Sequence, residues 1–472
     1  MREYMDRRGS GPRAKVAIAS ALAALGLLLG TGCSMDDLLG TETLPPDILD
    51  PAVAKTPKGA LAAYNGALVH FRNAFGGYEG FVEASGVLSD ELEQAGTNLE
   101  RVDTRVIPEG ENTASSVYSK LHRVRGQTAQ AIGLLKDYAP GSDDLIGHLY
   151  ALQAYSEIFL ADLFCSGIPL STLDYEGNFT YKPGSTTQQV YEHAFALLDT
   201  AVSLAKDSVQ FAQLARLGKA RVLLALGRYQ EAASEVAAVP DDYSYEVRYA
   251  ANAARIKGQF DDPQHFATIE SYRSNPGSWK WYFTVADREG TNGLDYISSG
   301  DPRTQVSSGW GNHQRERTIY HPSKYPVDGS GTIVLASGIE ARLIEAEAAL
   351  DAGDVDLWLE KLNHLRRTAW TSIRPATTGP LPDLTDPGSR DARIDLLFRE
   401  RAFWLFLTGQ RQGDLRRLVR NYGRSQDQVY PIGLYVQARG ATTTYGSDID
   451  VPVPVSEQLT NPNYTGCFGR GV

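Results

Sequence analysis

Two stretches far apart in the chain carry the same helix–glycine–helix pattern. KARVLLALGRYQEAA (219–233) and EAEAALDAGDVDLWL (345–359) each place an alanine, Ala220 or Ala346, seven residues before a glycine, Gly227 or Gly353. The small residue lets two helices cross closely. A glycine just past a helix end takes the left-handed turn into the next helix. A hairpin made this way cannot bury its apolar face alone, so hairpins must stack on one another.

The pattern resembles tetratricopeptide hairpins, though the repeats are imperfect, and the periodicity around it extends the reading. Apolar residues at helical spacing predict helices over 58–75, 115–138, 143–164, 186–206, 211–225, 229–238, 335–352, 355–370 and 390–421. Residues 76–112 are glycine-rich and read as irregular, with room for one short helix. The fold class expected is mainly α: a TPR-like helical hairpin solenoid with a long loop-rich insertion and an extended C-terminal tail. The helical regions are 59–240 and 335–421. The insertion is 241–334, and the tail, 422–472, packs on the helical body.

The N-terminus belongs to none of this. Arg2, Arg7, Arg8, Arg13 and Lys15 precede an uncharged run from Val16 to Gly32, which ends at Thr31-Gly32-Cys33. A basic segment followed by a short apolar one is a secretory signal, and 17 residues are marginal for a membrane span. Small residues directly before a cysteine resemble the lipobox of bacterial lipoproteins. That resemblance implies a signal peptide at 1–32, a diacylated Cys33 and a polar tether at 33–58. The plainer alternative is an ordinary signal peptide with an incidental cysteine. Ser34-Met35-Asp36-Asp37 resembles the acidic surface-export signal of Bacteroidetes-like lipoproteins, or is simply an acidic tether. The full chain has a net charge of −11, and loss of residues 1–32 leaves 41 basic against 55 acidic residues. Such a surface repels phosphate backbones and excludes a general nucleic-acid binder. With Cys33 acylated, Cys165 and Cys467 remain as one even pair in an oxidising compartment. A disulfide between them would tie the tail to the helices; two separate buried thiols are the alternative.

Four segments carry a wider resemblance. GHLYALQAYSEIFLADLFCSGIPLST (147–172), IEARLIEAEAALDAGDVDLWLEKLNHLR (339–366), FRERAFWLFLTGQRQGDLRRLVR (398–420) and VPVPVSEQLTNPNY (451–464) resemble, in order, segments of the SusD/RagB family of outer-membrane nutrient-binding lipoproteins. The chain departs from that pattern at Thr408, where an acid is usual, and at Gln412-Gly413, where an aromatic is usual, as in a divergent branch. The resemblance implies no catalysis and no cofactor. It implies an oligosaccharide or peptide ligand, and a TonB-dependent, SusC-like transporter barrel as partner. It places the protein at the outer membrane, lipid-anchored and facing the cell surface.

The residues themselves agree with a binding role. HExxH, GxSxG, a P-loop and GxGxxG are all absent, and the eight histidines are too scattered for a His-rich metal site. The insertion is rich in rings: 14 of its 94 residues are aromatic, against 10% overall, and it holds three of the six tryptophans. Rings on polar loops stack on sugar faces while polar side chains take the hydroxyls. The candidate ligand contacts are Trp279, Trp281, Tyr282, Tyr296, Trp310, Tyr320, Asn292 and Asp295, with Asn312, Arg315, Tyr78 and Glu79 near them. Several of these rings could instead form small satellite cores. Glu400, Arg401, Arg411, Asp414 and Arg416 read as a buried ionic lock across a helix break at Gly409, with an anion or substrate site as the alternative. Glu340, Glu345 and Glu347 read as a solvated or ion-paired helix face. A protein-binding scaffold of TPR type and a surface hydrolase stay open as other functions.

Overall fold

A computed structural model describes residues 51–77, 79–94, 99–249, 283–309, 318–325, 331–436 and 442–471. Residues 1–32 and Cys33 lie outside these ranges, as do Trp279, Trp281, Tyr282, Trp310, Asn312, Arg315 and Tyr78. The unit from Ala54 onward is the one described below.

Its elements run α1 (Pro57–Gly76), α2 (Phe81–Leu88), β1 (Leu92–Gln94), α3 (Glu100–Asp103), α4 (Asn112–Tyr138) and α5 (Asp143–Leu163). Then come β2 (Ile168–Pro169), β3 (Thr172–Leu173), β4 (Phe179–Thr180), β5 (Gly184–Ser185), α6 (Thr187–Leu204), α7 (Val209–Ala225) and α8 (Tyr229–Val236). The insertion supplies β6 (Ser244–Tyr249), β7 (Phe283–Val285), β8 (Val306–Gly309), β9 (Ile319–Pro322) and β10 (Gly331–Ser337). The chain closes with α9 (Gly338–Asp351), α10 (Val355–Thr368), α11 (Arg390–Trp404), α12 (Arg411–Arg420), β11 (Leu434–Val436), β12 (Thr442–Thr444) and α13 (Val455–Thr460).

The helices stack in series. α1 packs on α4, α4 on α5, α5 on α6, α6 on α7, α7 on α8, α8 on α9 and α9 on α10. The two hairpins read from the sequence, α7–α8 and α9–α10, are therefore neighbours. Gly227 and Gly353 sit at φ +72° and +79° at their turns, a conformation costly for any residue with a Cβ. Ala220 and Ala346 are fully buried where the helices meet. Side-chain caps fix several starts: Thr56 accepts from Gly59 N, Ser337 from Glu340 N and Ser389 from Ala392 N.

Some boundaries differ from the sequence reading. The first long helix starts before residue 59, where the helical region was read to begin, because Thr56 and Pro57 cap and start α1. Residues 335–337, read as helix, finish strand β10. The 76–112 stretch holds α2, β1 and α3, with all of α2 buried. The 390–421 helix is two helices, broken between Trp404 and Arg411, where Leu407 and Gly409 both take positive φ.

The insertion is closed at its base. β6 and β10 pair antiparallel, with Ser244 opposite Ser337 and Tyr249 opposite Gly331. This brings the end of α8 and the start of α9 together across the 101 residues between them. Gly338 is required here, since a Cβ would lie 2.2 Å from Pro240 O. A buried histidine fixes the sheet to the helices. His148 on α5 bonds Tyr64 OH at 2.8 Å and Tyr245 OH at 2.7 Å, and stacks on Phe211 at 4.0 Å. Burial pushes its pKa down to about 3, so the ring is neutral.

The tail is also fixed. A disulfide joins Cys165, just after α5, to Cys467. Backbone bonds run beside it: Cys165 N to Val451 O and Phe468 N to Ser166 O, both 2.8 Å.

Candidate functional site

Of the candidate ligand residues in the described ranges, Tyr296 requires correction. It is fully buried, with its ring 5.4 Å from Phe403 and 5.0 Å from Phe406, and its hydroxyl faces Asp90. It is a core ring, because the root of the insertion packs onto the bend after α11 and encloses it. Asn292 is also committed to the fold. Its amide donates to the carbonyls of Asp427 and Tyr430 at 3.1 and 2.8 Å. Asp295 accepts from Arg399 at 2.5 Å and lies 3.5 Å from Arg288, and these cations hold its pKa below the usual range. Tyr320 remains half-exposed on β9, with its backbone N bonded to Thr284 Oγ1 at 2.9 Å. Glu79 is half-buried at positive φ, its N bonded to Glu83 Oε2 at 2.9 Å.

The structure adds a cleft that the sequence did not reveal. It has a volume of about 560 Å³ and lies at the root of the insertion. Its floor is one face of the β6–β10 pair. Period-two alternation turns Val247, Ile333 and Leu335 to the core and leaves Ser244, Glu246, Thr332 and Val334 on the cleft side. Tyr243, Tyr325, Phe403 and Trp404 supply rings, and the turn after α10 supplies Thr371 and Ser372. Rings beside hydroxyls and carboxylates suit a ligand with apolar faces and hydroxyl edges.

The wall of the cleft is held by an unusual set of polar groups. Lys324 donates to Phe406 O, and Tyr325 OH donates to Leu407 O at 2.7 Å. Leu407 N donates to Glu91 Oε1 at 2.8 Å. Together they fix Leu407 at φ +52°, a strained conformation for a branched residue. Loss of water pushes Lys324 down to about 8, with Glu91 opposing the shift. Burial pushes Glu91 up to about 8. Arg303 is clamped between Asp301 and Glu400, at 2.7 Å from each, and its guanidinium lies 4.9 Å from the Trp404 ring centre.

The ionic lock is real as a buried network, but its pairing differs from the reading. Arg401 forks onto Asp414 at 2.8 and 2.9 Å, as two groups facing across the bend. Arg417, which the sequence reading left out, joins Asp414 to Glu347. Arg411 instead forks onto Asp90 at 2.6 and 2.9 Å, and Glu400 takes Arg303 and Arg366. Arg416 has carbonyl partners: Ala161, Phe164 and Gly471 at 2.8, 3.1 and 2.6 Å. The chain breaks between α11 and α12, and the partners of Arg411, Glu400 and Arg416 lie on other elements far away in sequence. Glu340 and Glu347 are fully buried and ion-paired, with Arg221 and Arg417, rather than solvated.

No protein-family model matches the sequence. No curated protein matches it either. Solved structures do. A SusD superfamily protein from Bacteroides thetaiotaomicron superposes with a TM-score of 0.63 at 16% identity, over 87% of this chain and 99% of that one. A laminarin-binding SusD-like protein gives 0.62 at 16% identity, over 88% and 99%. A SusD-like protein from Bacteroides fragilis gives 0.59 at 14% identity, over 90% and 99%. Identities this low speak to architecture alone, but the overlap takes in nearly all of each neighbour: this chain has the SusD-like fold.

Proposed function

We propose that the protein is a lipid-anchored substrate-binding component of an outer-membrane uptake system. It captures glycans, or as a second choice peptides, for a TonB-dependent transporter of SusC type. The observation that supports this most is the overlap with 99% of a laminarin-binding SusD-like protein. In this reading residues 1–32 are a signal peptide, Cys33 carries the lipid and the following residues form the tether. Two or more acyl chains bury enough methylenes, at about 0.8 kcal/mol each, for stable anchoring. The helical body holds up the insertion, whose rings Trp279, Trp281, Tyr282, Trp310 and Tyr320 contact ligand. Binding proceeds without chemistry: the ligand is held, then passed on unaltered.

Labelled palmitate should attach to the wild-type chain and not to Cys33→Ala, and deletion of the gene should abolish nutrient uptake. Among Trp279→Ala, Trp281→Ala and Trp310→Ala, at least one should weaken glycan affinity about tenfold, the loss of one stacking contact of roughly 1.4 kcal/mol. Unchanged affinity in all three would remove the insertion from the site.

A further inference from the structure

The cleft at the root of the insertion carries charges that its own ion pairs do not use up. The cations of its lining are all committed. Arg303 is clamped between Asp301 and Glu400, and Lys324 donates to Phe406 O. Arg374 curls back on its own turn, where Nη1 donates to Thr371 O at 2.7 Å and to Ile373 O at 3.0 Å. Two of the acids are committed as well. Asp241 pairs with His364 at 2.7 Å and Arg342 at 3.4 Å, and Glu340 pairs with Arg221. Asp242 and Glu246 line the cleft with no ion-pair partner among the described residues.

We propose that the cleft takes a saccharide unit bearing a free amine, and that Asp242 and Glu246 receive its ammonium group. This rests on the glycan-binding reading above and narrows its substrate class. Both side chains are exposed: Asp242 lies in the turn before β6, and Glu246 stands on the floor two residues past Ser244. An anionic ligand would meet only Arg374 without a carboxylate beside it. An ammonium group would meet two carboxylates that no ion pair offsets, and charges of opposite sign across a contact favour the matching partner. Arg248 shares their face of β6 by alternation, but it lies outside the lining, and among the described residues no ion pair joins it to Glu246.

The rest of the lining fits a sugar better than a peptide. Ser244, Thr332 and Thr371 offer hydroxyls that have no partner among the described residues. Each can both donate and accept, which is also the character of a sugar hydroxyl. Tyr243 and Trp404 are half-exposed, whereas Phe403 and Tyr325 are buried. An open ring takes the apolar face of a sugar and also attracts a cation placed over it. The β6–β10 pair turns a face to the cleft, so it presents side chains there. An added peptide strand would need an edge, with its free N–H and C=O groups.

Calorimetric titration of the full mature chain at about pH 6, where an amine is charged, tests this. The probes are three tetrasaccharides with one β-1,4-linked backbone, built from glucosamine, N-acetylglucosamine or glucose. The glucosamine tetramer should bind about tenfold tighter than either neutral one, the effect of two partly exposed ion pairs, and added salt should narrow the gap. In Asp242→Asn/Glu246→Gln the gap should close, with the neutral tetramers bound as in the wild type. An unchanged melting temperature checks that this variant is folded. A glucose tetramer bound as tightly as the glucosamine tetramer would overturn the amine preference and leave glycan binding standing. A gap that survives in the double variant would overturn the site. Failure of the glucosamine tetramer to bind, or binding of a lysine-bearing peptide in its place, would overturn the assignment even where other glycans bind.

Discussion

Replacing Asp90 with alanine should cost about 3–5 kcal/mol of folding stability, the usual cost of stranding a buried charge. Asp90 is 1% exposed and takes both prongs of the Arg411 guanidinium. It also accepts from Leu294 N at 3.0 Å, and Tyr296 OH faces it. One carboxylate thus joins the end of α2, the start of α12 and the root of the insertion. Asp90 holds the Arg411 pKa above its ordinary value, and a guanidinium keeps its charge in a protein, so loss of the acid leaves a buried cation without this partner. Removing both charges is a different case. Asp90→Leu with Arg411→Met should cost less than the sum of the single changes, since no ion is left without a partner. Urea denaturation of the four chains measures the coupling. A loss under about 1 kcal/mol for Asp90→Ala, the range of an exposed pair, would mean that water reaches the site.

Loss of the Cys165–Cys467 disulfide should cost about 2–5 kcal/mol, as for native disulfides in small secreted domains. The bond spans 302 positions, so it restricts a very large loop in the unfolded chain. The folded tail keeps other ties. Val451 N bonds Leu163 O at 2.8 Å, and Val453 N lies 3.4 Å from Cys165 Sγ. The native fold should therefore survive in Cys165→Ala/Cys467→Ala, with the penalty appearing as a lower denaturation midpoint. Reduction of the wild type should lower the midpoint equally. Identical midpoints for oxidised and reduced protein would contradict this.

The helical body was legible in the sequence because its signals are local. Gly227 and Gly353 mark turns, and apolar spacing marks helices within three residues of their ends, except over 390–421, where the spacing reads as one helix and two are present. The resemblance carried by 147–172, 339–366, 398–420 and 451–464 pointed to the same architecture. What the sequence hid is long-range. Tyr296 sits among Gly, Asn and Asp and reads as a surface ring, yet Phe403 and Phe406 bury it from more than 100 residues away. Arg411 was recognised as a buried cation, but its partner is 321 positions away. The cleft joins β6 and β10 to the 403–410 bend, and no window of sequence contains all three. Trp404, in the apolar run beside the ionic lock, lines that cleft.

The central claim is capture without alteration, and calorimetric titration of the purified mature chain with a panel of defined oligosaccharides and peptides tests it most directly. Saturable binding of at least one of them, with the ligand recovered at its original mass, is the predicted result. No heat of binding from any member of the panel, or recovery of a shortened ligand, would contradict it.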